Sequence, residues 1–565
     1  MEKNLLAAIG LSVLVLVIYS FFFAPTPKPN PDQAQQQQTA QNQPAPSPTP
    51  TDVAPAPSTP TPLPEIDSKP ARSIHVKSGL WNGRFTTRGG LASQWVLDRL
   101  PTKKDLKGKD LKSEDGSPLV LFNAGEDPVK GSFKIEFPNN PELSKRINAV
   151  TFETDATGDD LDIGTTDTQL NFTYQDPSGL SVKKTFVFSR DQYDFRVMVE
   201  AKNGSEVLPV RLEIGPGFGD ATAKAKNSYT STPPQVMAAI ENKVTRLATV
   251  EKGSNTLTGL INWAAISDHY FAFMIIPDVP QREAVLADAS KTGLVAADAF
   301  HPLIASLPIG GSATVYIGPR ERTILTELND ELKQKHAVSV DLEDVIDYGF
   351  FSRIVKPIVP LVSISLAKVY QYVPNYGWAI IILTIGINLL FFPLKWKSSI
   401  SMKKMKDIAP RQKEIQEKMK GLKKDDPQYL ALQSEQLKLM KEGNPLGGCL
   451  PMLIQMPIFW ALFIYLTISI YVRQSPWVGW IHDLSSPDPY YILPIILCVS
   501  MIAQSALTPT PTDSQQKMQK YMMSYGMPIM LTLLFFKAAP SGLVIYYMFS
   551  NLVGVGQQFL INKLT

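Results

Sequence analysis

Five apolar stretches in the last 220 residues contain neither aspartate nor glutamate: Tyr376–Leu394, Cys449–Val472, Tyr490–Leu507, Met522–Ala539 and Gly542–Ile561. Backbone in hydrocarbon must satisfy its own hydrogen bonds, so stretches of this kind fold as helices packed on one another. The fourth is short and holds Pro528 and Lys537, and it pairs with the fifth across Pro540-Ser541 as a tight helical hairpin. A sixth candidate, Leu5–Phe23, is 19 residues without a charge, enough for a helix of roughly 28 Å. Phe21, Phe22 and Phe23 stand where a cleavage site would need small residues, so residues 1–24 read as an uncleaved signal-anchor.

Charge sets the orientation. Lys395–Pro445 carries 13 Lys/Arg and 7 Asp/Glu, whereas Arg473–Pro489 carries one basic residue. The basic segment belongs in the cytoplasm. Counting outward gives six spans with both termini cytoplasmic and everything between the first two spans outside. Residues 25–67 form a linker, with 13 prolines between positions 24 and 64 and a run of four glutamines, a composition that cannot bury a core.

From 68 to 345 the texture is of short strand-like runs punctuated by Gly, Asn, Asp and Pro. Ser181–Phe188, the turn Ser189–Gln192 and Tyr193–Val199 spell strand, turn, strand. One large all-β sandwich is expected there, closing with a helix over Glu321–Lys335. Residues 346–372 predict an amphipathic helix on the outer membrane surface, with Phe350, Phe351, Ile354, Val355, Ile358, Leu361 and Val362 on one broad face. The fold class is thus a polytopic α-helical membrane protein: an anchor helix, a five-helix core over 373–565, and a large extracytoplasmic β-domain.

Several functions are disfavoured. A net charge of +3 does not suit a basic nucleic-acid binder, and two cysteines make no disulfide framework. Five histidines without metal-ligand spacing make a metalloenzyme improbable. Gly215-Pro216-Gly217-Phe218-Gly219 lacks the spacing of a phosphate cradle and reads as a strand-end loop. His269, in an apolar run, reads as structural. No nucleophile–base pair stands out, so neither an enzyme nor a cofactor is expected.

The cytoplasmic segment 395–445 predicts a helical hairpin. Its first helix carries Ile408, Ile415, Met419 and Leu422, and its second, opened by Asp425-Asp426-Pro427, carries Leu430, Leu437 and Met440. Lys403, Lys404, Lys406, Arg411 and Lys413 are its candidate docking residues, with anionic lipid the alternative partner.

Polar residues in a span face a bundle interior or a wet cavity. Thr384 and Asn388 are i,i+4 partners; Gln455, Gln504, Ser505, Ser524, Gln557 and Gln558 lie towards the cytoplasmic side, and Asn551 near mid-span. This bias predicts a hydrophilic concavity open to the cytoplasm, with helix-to-helix hydrogen bonding as the competing explanation. Thirteen of 17 methionines follow residue 401, which suits a surface accepting varied hydrophobic segments.

The motifs Asn444-Pro445-Leu446-Gly447-Gly448-Cys449, Leu453–Phe459, Trp480–Leu484, Asp488–Pro494 and Pro540–Tyr547 closely resemble the YidC membrane protein insertases. Gly179–Phe186, Tyr316–Pro319 and Asp347-Tyr348-Gly349 extend the likeness over the β-domain. The resemblance implies a bacterial inner-membrane insertase and chaperone for nascent membrane proteins, with a periplasmic domain, acting alone or with the Sec translocon and the ribosome. It implies groove and client-contact roles for Thr384, Met456, Phe459, Tyr546 and Tyr547. The family's groove arginine aligns with Asn388, and Lys537 lies at the opposite face, so a neutral, hydrated groove is expected. A small-solute transporter or channel is the alternative, weakened by the absence of intramembrane carboxylates for ion coupling.

Overall fold

The computed structural model describes residues 70–564 apart from 102–107, 126, 128, 223–232, 242, 297, 337–339, 350–351, 423–425, 444, 508–517 and 519. The signal-anchor and the linker expected over 1–24 and 25–67 lie outside the described residues.

Among the described residues, the β-domain is built from a five-stranded and a 14-stranded sheet. The anticipated hairpin is present: Leu180–Phe188 pairs antiparallel with Asp194–Asn203, and Phe188 faces Phe195 in register. Alternate residues of the second strand are buried, which turns one face of the ribbon into core. Aromatic rings from the two sheets interleave there: Trp81 stacks on Trp95 at 4.2 Å, and Phe188 and Phe195 close on Trp81 at 5.5 and 6.2 Å. Lys184 crosses the same core fully buried, donating to the carbonyls of Gly89 (2.7 Å), Gly90 (3.3 Å) and Phe133 (2.8 Å). Burial pushes its pKa well below the usual lysine value. The glycine-rich run is a strand-end loop, following the strand Arg211–Ile214. Gly215 takes φ +88°, and a Cβ there would lie 2.3 Å from the Leu303 carbonyl.

Helix α1 (Pro141–Ile147) caps one edge, and α2 (Arg322–His336) ends the domain where a helix was expected. The segment that follows is one turn, Ser352–Val355, and then α3 (Val359–Tyr372) with proline in its first turn. The single apolar face expected here is split. Val355, Val359 and Val362 are buried, while Leu361 is 65% and Ile354 52% exposed. Pro357 and Pro360 interrupt the helix, so the two pieces do not share one rotation. Phe350 and Phe351 lie outside the described residues.

At Tyr372 the chain turns through 118° into α4 (Tyr376–Leu390), whose N-cap Asn375 accepts from the Trp378 amide at 3.2 Å. The expected span to Leu394 is cut at Phe391. Pro393 sits in the first turn of a new helix, α5 (Phe392–Met419), because proline lacks the donor an uninterrupted helix needs. The span's last residues therefore belong to the cytoplasmic hairpin.

The hairpin's second helix is α6 (Pro427–Gly443), and its apolar stripe is rotated from the expected one. Leu430 and Leu437 are each 56% exposed, whereas Leu439 is buried and Tyr429 and Leu432 partly so. Leucines at 430/437 and at 432/439 share the same spacing, and only the packing of α6 against α5, where Ile415 is also buried, selects the second pair. The Met440 side chain lies outside the description.

The other helices among the described residues include α7 (Pro445–Ile468), α8 (Ile492–Ala506), α9 (Met527–Ala538) and α10 (Ser541–Leu564). A π-turn, Met522–Gly526, leads into α9, where Pro528 offers no amide donor. Among the described residues, α10 alone has the length and apolarity to span a bilayer unaided. Ile454–Ile468, Ile492–Ala506 and Ser524–Phe536 are shorter apolar pieces.

Candidate functional site: a polar seam within the helices

Asn388 is the centre of the polar residues that the helices bring together, and it is only 2% exposed. Its Nδ2 donates to the Thr384 carbonyl at 2.8 Å, the i,i+4 relation expected on α4, and to Ser550 Oγ on α10 at 3.2 Å. Gln557, two turns further along α10, donates through Nε2 to the Asn388 carbonyl at 2.9 Å. Gln455 on α7 reaches the same Ser550 hydroxyl at 3.2 Å. One serine thus joins three helices. Thr384 is fully buried and its hydroxyl returns to the Ile380 carbonyl at 2.7 Å.

Asn551 belongs to a second group: its Nδ2 donates to Ser500 Oγ on α8 at 3.2 Å. Gln504 packs on Gly554, where a Cβ would come within 2.7 Å of its Nε2, and Ser524 meets Ser505 hydroxyl to hydroxyl. Tyr546 is buried; Tyr547 is partly buried with its ring 5.6 Å from that of Phe459. Met456 is exposed. Of the hairpin residues, Lys404, Arg411 and Lys413 are exposed and Lys403 is half-buried, while the Lys406 side chain lies outside the description.

The expectation of a neutral site at Asn388 is corrected. Lys395, near the start of α5, places its ammonium 2.6 Å from Asn388 Oδ1 and 3.2 Å from Gln557 Oε1. Both partners are neutral amide oxygens, which orient the cation without cancelling its charge. Sequence counting assigned this lysine to the cytoplasmic loop. The one available signal was the Phe391-Phe392-Pro393 break, which restarts the helix and lets residue 395 turn back onto 388. Ser399 Oγ adds a second staple from α5 to α10, donating to Gln558 Oε1 at 3.3 Å. Ser550 and Ser500 were missed because serine in an apolar helix is common and usually satisfied by its own backbone.

Two family models cover almost the entire described chain: the YidC periplasmic domain over residues 73–361 and the 60Kd inner membrane protein over residues 368–565. The membrane protein insertase YidC of Ralstonia nicotianae is 34% identical over 467 residues, covering 80% of this chain and 78% of its own length. This chain belongs to the YidC membrane protein insertase family. The YidC of Burkholderia multivorans is 32% identical across 87% of this chain and 84% of its own. A crystal structure of an active YidC insertase with its first transmembrane domain resolved aligns over 88% of this chain and 94% of its own, at 18% identity and a TM-score of 0.33. Membership in the YidC family makes the chain a bacterial inner-membrane protein whose function is membrane protein insertion, with an all-β periplasmic domain.

Proposed function

We propose that nascent membrane proteins enter through a cytoplasm-open hydrophilic groove bounded by α4, α5, α7, α8 and α10. The observation that carries this reading is the hydrogen-bonded chain Gln455–Ser550–Asn388–Lys395–Gln557, which runs from mid-helix to the start of the cytoplasmic hairpin. Gln455 and Gln504 supply polar surface for short hydrophilic client segments, backed by the buried Thr384, Asn388, Ser524 and Asn551. Met456, Phe459 and Tyr547 offer apolar and aromatic surface to the arriving span, with Tyr546 buried behind them. Burial of about 20 apolar residues drives the step, so no nucleotide is needed. Lys395 gives the groove a cation that favours acidic residues in the client tail.

In this reading the chain crosses the membrane six times with both termini cytoplasmic, residues 1–24 anchoring it and 25–67 spacing the periplasmic domain from the anchor. The α5–α6 hairpin docks the ribosome through Lys403, Lys404, Lys406, Arg411 and Lys413, and the Sec translocon receives the multispanning clients. Exposed Leu361 and Ile364 on α3 enter the outer headgroup layer.

The test is a photocrosslinking scan. Crosslinkers at Gln455, Met456, Phe459 and Tyr547 should capture a ribosome-stalled single-span client, and crosslinkers at exposed Leu389 and Leu552 should capture lipid. Equal client capture at both sets rejects the groove. Purified protein in liposomes that conducts a small solute but fails to integrate the client supports the channel alternative.

A further inference from the structure

The β-domain meets the helices along a seam in which its ionisable groups grip the chain leaving α7. His269 Nε2 donates to the Thr467 carbonyl at 2.9 Å. Lys109 donates to Ser475 Oγ at 3.2 Å and to the carbonyls of Arg473 and Tyr471. Arg473 in turn reaches Asp220 at 2.7 Å with both side chains buried. Helix ends leave carbonyls without internal partners, and the domain supplies donors for this one.

Glu321 differs from Asp220 in this seam, because among the described residues its hydrogen bonds come from neutral donors. It is 4% exposed and accepts from Ser469 Oγ at 3.3 Å and from the backbone amides of Ile470 and Arg322. The neighbouring Arg322 guanidinium is engaged by Glu343 at 3.2 Å. Closing the seam therefore takes a carboxyl out of water in exchange for neutral donors. A neutral acid tolerates that transfer and an ionised one does not.

We propose that Glu321 is a pH-responsive latch: protonating its carboxyl tightens the docking of the periplasmic domain on the end of α7, and ionising it loosens the joint. Burial pushes its pKa up to about 7, in keeping with this geometry. From the domain side, Arg320, Arg322 and Tyr316 face it, together with Tyr348 and Glu343 from the segment before α3. From the helices it is faced by Tyr376, Tyr465 and Tyr471. Arg320, brought down to about 10 by burial, stays charged at neutral pH, and burial holds the Tyr316 and Tyr348 hydroxyls protonated. Lys109, lowered by burial to about 8, changes charge above that window.

The sign is fixed by linkage. The closed seam holds its proton to about pH 7, whereas an open, hydrated Glu321 returns to the ordinary carboxylate range. Acidification thus favours closure, and the closed-to-open ratio should rise about twentyfold from pH 7.5 to pH 5.5. Because α7 carries Gln455 into the polar network, the latch tethers one wall of that network to the periplasmic domain.

Hydrogen exchange of the full-length protein in nanodiscs, corrected for intrinsic rates, tests this at the amides of Ile470, Val472 and Arg473. Protection should be about twentyfold greater at pH 5.5 than at pH 7.5. Glu321→Gln should show high, pH-independent protection. A wild-type protection factor that is the same at both pH values, or an equal rise in Glu321→Gln, overturns the latch. Should Glu321→Gln not fold, Ser469→Ala decides: removing a donor to the carboxylate should move the protection midpoint to higher pH, and an unmoved midpoint rejects the proposal.

Discussion

The Lys395 ammonium and the Asn388 amide oxygen lie 2.6 Å apart, although one residue opens the cytoplasmic hairpin helix and the other sits inside α4. That contact ties the charged hairpin to the polar centre of the bundle. It also brings a cation to a centre whose other polar side chains are neutral amides and hydroxyls.

Replacing Lys395 should therefore be selective. Lys395→Gln should slow integration of clients with acidic translocated tails about tenfold, in line with the roughly 1.5–3 kcal/mol of a charged hydrogen bond, and Lys395→Glu more strongly. Clients with neutral tails should change little. Protease-protected client fragments measure both, and equal losses across client types would reduce Lys395 to a packing residue.

Deleting Lys403–Lys441 removes most of the hairpin but spares Lys395 and Ser399, the residues stapling α5 to α10. Insertion should be abolished while the melting temperature of the remainder stays within a few degrees. Complementation of a depletion strain by the deletion would disprove the docking role of the hairpin.

Asp220 and Arg473 are 2% and 3% exposed and sit on opposite sides of the seam. Breaking such a pair strands a buried charge, so Asp220→Ala should cost about 3–5 kcal/mol. Replacing both, as Asp220→Leu with Arg473→Met, should recover much of that loss. Thermal unfolding of the three variants in detergent reads the difference.

Two glycines of α4 offer an internal control. A Cβ on Gly377 would fall 2.1 Å from Trp477 Cδ1, whereas a Cβ on Gly386 meets nothing within 4 Å. Gly377→Ala should destabilise by about 1–3 kcal/mol through overpacking. Gly386→Ala should be neutral or stabilising by up to about 1 kcal/mol. Matching melting temperatures for the two would contradict the packing of Trp477 on α4.

The sequence by itself determined the β-sandwich, the helical character of the apolar stretches and the family, because these follow from local periodicity, length and motif. The Leu180–Asn203 hairpin and helix α2 were legible in that way, within one residue except that the second strand runs four residues further, to Asn203. So was the pairing of Thr384 with Asn388, since four residues along a helix bring two side chains to one face. Tertiary structure decided what periodicity leaves degenerate. Leucines at 430/437 and 432/439 are equally spaced, and only contact with α5 shows which pair is buried. Lys395 was counted as loop charge because charge counting is blind to direction, and the Pro393 break that turns it inward acts through the fold of two helices. Glu321 and Asp220 carried no sequence signal at all, for their partners Ser469 and Arg473 lie about 150 and 250 residues away and meet them only when the domain closes on the bundle.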